Sequence, residues 1–91
     1  MGGMVQYTVE HVSRPYSRDI PWEDAHRSEG LTVHQAIKIY NETWVDCHPQ
    51  PNAWCGHVRI VGDDDWIYAI DGPYPGSRAT LVKRFHLDDI R

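Results

Sequence analysis

Four side chains able to bind a transition metal lie within eleven residues: Cys47, His48, Cys55 and His57. They include both cysteines of the chain and two of its six histidines. Thiolate and neutral imidazole are the usual ligands of zinc, and structural sites draw them from C-x2-4-C or H-x3-5-H pairs that a turn aims at one point. The order here is Cys-His, six residues, then Cys-x-His. Cys55 and His57 are two apart on a predicted strand and so share a face. Cys47 and His48 are adjacent, and adjacent side chains point apart. His48 also precedes Pro49, which biases it to extended backbone. The spacing thus splits the window into a same-face pair and an awkward one. A zinc-stabilised domain using Cys47, Cys55 and His57 stands as the second reading of the chain, and the leading reading needs no cofactor.

The same residues suggest other chemistry. Seven residues, two of them proline, separate Cys47 from Cys55, and a disulfide would close that loop. A lone cysteine pair in a reducing compartment argues against it. The bland alternative packs Cys47 as a small apolar residue near a helix end. Cys55 with His57 could form a nucleophile and base, with Asp46 or Asp71 to orient the base. No oxyanion hole is evident beside them. Phosphate loops and the G-x-S-x-G elbow are missing from the sequence. In Gly72-Pro73-Tyr74-Pro75-Gly76 the prolines lack the N–H groups that a phosphate cradle uses. A small hydrolase or nuclease is therefore the third reading, and the leading one is not an enzyme.

Aromatic and arginine side chains in predicted loops carry that leading reading. Arg14, Tyr16, Arg18 and Trp22 lie in one stretch, Tyr74 and Arg78 in another. Tyr, Trp and Arg dominate binding hot spots. These six residues are the candidate partner-binding set. Trp22 has an alternative place as a plug at one end of the core. Arg14 and Arg18 have alternative surface partners in Glu23, Asp24 and Glu29, pairs worth little.

Charge narrows the partner. The formal net charge is −4, whereas a nucleic-acid binder needs a basic face to displace counterions. A protein partner is expected, not nucleic acid. Asp63-Asp64-Asp65 and Asp88-Asp89 read as a solvated turn and tail. With no apolar run long enough to span a bilayer and no signal-peptide pattern at Met1–Met4, a cytoplasmic location is expected. Residues 1–3 are expected to be disordered, with Met4 as a candidate natural start. Seven arginines against two lysines, with four tryptophans, match the codon bias of a high-GC bacterium or its phage.

The elements that must position these residues follow from periodicity. Ninety-one residues make one domain. Residues 4–12 alternate, with Val5, Tyr7 and Val9 on one face. Residues 13–30 show no period and read as a long irregular loop, with a short helical turn near Pro21. Thr32 and Gln35 make a capping box, with Leu31 and Ala36 as its staple. Val33, Ala36, Ile37, Tyr40 and Trp44 then recur at helical spacing, predicting a helix over 33–45 that Pro49 and Pro51 must end. Trp54, Val58 and Ile60, then Trp66, Tyr68 and Ile70, mark a β-hairpin around Gly62 and the three aspartates. Residues 79–86 make a last strand. The fold class is α+β: a small, mostly antiparallel sheet of about four strands with one packed helix. A sheet of that size leaves free edges, and homo-oligomerisation through one of them is a further expectation.

Overall fold

A computed structural model describes residues 4–12, 20–47, 56–72 and 79–89. Five strands form one antiparallel sheet. They are β1 (Tyr7–Val12), β2 (His26–Leu31), β3 (His57–Gly62), β4 (Trp66–Asp71) and β5 (Thr80–His86), in the order β2-β1-β3-β4-β5. Among the described residues one α-helix, α1 (Val33–Cys47), packs on one face of the sheet. The α+β class is as the sequence predicts.

One strand was not expected. Residues 26–30 belong to the stretch read as irregular loop, yet together with Leu31 they form edge strand β2. Their sequence, His-Arg-Ser-Glu-Gly-Leu, carries no apolar alternation because no residue of the strand is buried. An edge strand with a solvated face has no need of a period-two pattern. A bulge between Tyr7 and Val9 shifts the β1–β2 register. Gly30 sits within it at φ 68°, a left-handed conformation that favours glycine. The helical turn near Pro21 is present as a 3-10 turn, Trp22–Asp24.

The capping box forms as expected. The Thr32 N–H donates to Gln35 Oε1 at 3.0 Å, and the Gln35 N–H donates to Thr32 Oγ1 at 3.3 Å. Ala36 and Ile37 are buried beneath the helix, with Leu31, Val33 and Tyr40 packed at the margin of the core. Trp44 departs from expectation: although on the same helical stripe, it is 46% exposed.

Tyr7, Val9, Ile60 and Tyr68 complete the core from the sheet. The rings of Tyr7 and Tyr68 meet edge to face at 5.0 Å, a favoured aromatic geometry. The β3–β4 hairpin turns through Asp63–Asp65, with Asp65 at φ 64°, a region that short polar side chains tolerate. Trp54, in the predicted lead-in to β3, lies outside the described residues.

Candidate functional site

Strand register fixes what lies on the sheet face away from α1. Core residues Tyr7 and Val9 face the helix, so Thr8, Glu10 and Val12 face the other way. Paired positions share a face. Arg27 and Arg59 stand opposite Glu10, Val61 opposite Thr8, and Ile67 beside Val61. Ile67 pairs with Phe85, and Ala69 with Val82.

A buried carboxylate anchors the β1–β2–β3 half of this face. Glu10 is 6% exposed and receives two arginines. Arg27 Nε donates to its Oε2 at 2.8 Å, and Arg59 Nε to its Oε1 at 2.6 Å. Each carboxylate oxygen thus has a charged donor, which a buried acid requires. Both arginines also hold the 3-10 turn. Arg27 donates to the carbonyl oxygens of Trp22 at 2.6 Å and Ala25 at 3.3 Å. The Arg59 guanidinium lies 4.1 Å from the Trp22 ring centroid, well inside cation–π range. One carboxylate faces two guanidinium groups, so the cluster keeps a net positive charge on an acidic chain.

The β4–β5 half is apolar and open. Phe85 is 52% exposed and Val82 is 38% exposed. The register skips from Ile67–Phe85 to Tyr68–Lys83, leaving Arg84 as the extra residue of a bulge. Its guanidinium carbon lies 5.9 Å from the Phe85 ring centroid. Bulges re-aim side chains, and this one sets a cation beside an exposed aromatic.

Between the two halves the sheet forks. β3 and β4 each have six residues but share only two register pairs, Ile60–Tyr68 and Val61–Ile67. A cleft of about 390 Å³ opens beyond them. Arg59, Arg84 and Phe85 line it toward the second face, and Tyr40, Val58 and Ile70 toward the helix.

A separate polar cluster braces the hairpin. The Tyr68 hydroxyl donates to Asp64 Oδ2 at 2.6 Å, and the Trp66 N–H to Asp64 Oδ1 at 3.3 Å. Lys83 Nζ stands 3.6 Å from the same carboxylate and 5.3 Å from the Trp66 ring. Burial opposes ionisation of Asp64, but the Tyr68 and backbone hydrogen bonds, with Lys83, hold its carboxyl below the usual value. Burial, then the Asp64 hydrogen bond and charge, push the Tyr68 hydroxyl well up. Burial and the charges of Asp64 and Asp63 raise Tyr7 as well. These bonds lock a turn and leave little of Asp64 for other chemistry.

Of the residues expected to bind a partner, Trp22 is half-buried on the second face beneath Arg59. Arg14, Tyr16, Arg18, Tyr74 and Arg78 lie outside the described residues. Among the proposed metal ligands, His57 opens β3 opposite Val12 on the second face. Cys47 closes α1, but its side chain and the whole of Cys55 lie outside the description. Among the described residues, no group of three or more His, Cys, Asp or Glu side chains is placed to hold a metal ion. No described helix is long and apolar enough to cross a membrane. Sequence reasoning missed Glu10, Arg27, Arg59, Arg84 and Phe85. Glu10 and Arg59 are 49 positions apart, and nothing local couples them. Phe85 was visible as a strand residue, but its face depended on the bulge.

Comparison of the chain with protein-family models, with curated proteins and with solved structures finds no match.

Proposed function

We propose that the chain is a non-catalytic protein-binding module that engages its partner through the second face of the sheet. The observation that carries this reading is the exposed pair Phe85 and Val82 flanked by Arg84 and by the cationic Arg59–Glu10–Arg27 cluster. An aromatic and an arginine on rigid strands are the residue types that anchor interfaces. Their backbone is already ordered, so binding costs little ordering entropy. The complementary surface is a protein segment that sets apolar side chains beside carboxylates. Arg14, Tyr16, Arg18, Trp22, Tyr74 and Arg78 remain candidates to extend the contact. A small bacterial or phage regulator or inhibitor acting on a host protein fits this chemistry.

Capture from lysate with tagged wild type, Phe85→Ala and Arg84→Glu tests the reading. The expected result is one stoichiometric protein partner, resistant to nuclease and lost in both variants, while their melting temperatures stay near wild type. Equal capture by all three defeats the proposal. Recovery of RNA that nuclease removes would instead assign the face to single-stranded nucleic acid, for which aromatics and arginines also serve as a stacking platform.

A further inference from the structure

The β1–β2 ladder places His11 directly opposite His26. We infer that this pair is a two-histidine site for a borderline transition-metal ion such as Cu2+, Ni2+ or Zn2+. Directly opposed residues on antiparallel strands point to the same face, with Cβ atoms about 4.5–5.5 Å apart. Two imidazoles at that spacing can put one nitrogen each on a shared ion. Backbone pairing on both sides of β1 holds His11 in place, through His26 on one flank and Val58 on the other. His26 is exposed on edge strand β2, which gives an ion access from solvent.

Glu10, Arg27 and Arg59 lie on the opposite face of the sheet and do not compete for the ion. Two protein ligands leave the remaining coordination positions to water or to a donor on another molecule. Such a site is exchangeable, unlike the closed four-ligand sites that hold structural zinc. Imidazole pairs follow the order Cu2+ above Ni2+ and Zn2+. The pair is distinct from the Cys47–His57 window and independent of the partner-binding reading.

The test uses untagged full-length protein with its cysteines alkylated. Imidazole NMR signals are followed as substoichiometric Ni2+ or Cu2+ is added near pH 7.5. The site predicts that His11 and His26 broaden first and together, ahead of His34 and His86. It predicts that His26→Gln, an exposed change that keeps the fold, abolishes the effect at His11. Affinity should fall roughly tenfold or more when one of two linked ligands is lost, and His34→Gln should leave it unchanged. Earlier broadening at another histidine, or persistence at His11 in His26→Gln, would overturn the assignment.

Discussion

At the scale of single residues, two hydrogen-bonded acids organise the polar structure, Glu10 buried and Asp64 half-buried, and each makes a prediction. Glu10 pairs with two guanidinium groups, one on each carboxylate oxygen. Removing one partner of a buried charge pair costs several kcal/mol, so Glu10→Ala should destabilise by about 3 kcal/mol. Chemical denaturation checks this, and a loss too small to measure would mean that solvent carries the arginines. Tyr68→Phe removes a hydrogen bond to an ionised carboxylate, worth about 1.5–3 kcal/mol. Asp64 titrates below its ordinary value, so the folded state resists protonation that the unfolded state accepts. Its contribution is present at neutral pH and is lost as pH falls through the carboxylate range, near 4. His11 acts in the same direction at higher pH, since its lowered value makes stability decline as pH drops below about 6.5. The tyrosines act in the other direction. Tyr7, Tyr40 and Tyr68 are all raised, so the unfolded chain loses phenolic protons that the fold keeps. Stability should therefore fall as pH rises above about 10. Tyrosinate absorbance should appear together with loss of circular dichroism. Ionisation of all the tyrosines ahead of unfolding would refute the packing described for Tyr7 and Tyr68.

At the scale of elements, the most legible features were those with local grammar. The capping box at Thr32 and Gln35, the stripe of α1 and the alternation in β1, β3 and β4 each lie within a few residues. Thr32→Ala should accordingly cost about 1 kcal/mol, the usual worth of an N-cap. A thermal melt unchanged by that substitution would show the cap to be idle. Gly62 is equally local in origin. A Cβ there would run into the Asp64 carboxylate and meet the Tyr68 ring at 2.7 Å, so Gly62→Ala should disturb the same turn that Asp64 closes. What the sequence hid has a physical reason. β2 is polar because none of its residues is buried, and among the described residues it pairs with β1 alone. Its amides should exchange with solvent faster than those of β3, which β1 and β4 flank. The two-pair junction of β3 and β4 was likewise hidden, since both strands alternate normally through the point where their ladder stops. The candidate site shared this fate. Trp22 was visible as a residue type, whereas Glu10, Arg27 and Arg59 converge only through register.

At the scale of the whole molecule, the fold separates its charges. The acidic turn Asp63–Asp65 and the tail Asp88–Asp89 flank the hairpin end. On the second face the Glu10 carboxylate meets two guanidinium groups, with exposed Phe85 on the same face. A formal charge of −4 thus coexists with a cationic side-chain cluster, and the expectation against nucleic acid rests on the total more than on this cluster. Partner binding should weaken with added salt, though gently, because few charges take part. The most direct measurement is site-specific photo-crosslinking in lysate. Photoreactive side chains would be introduced at position 82 on the second face and, as a control, at exposed position 34 on the helix. The account predicts one protein crosslinked from position 82 and none from position 34. Crosslinking from position 34 alone, or equally from both, would contradict it.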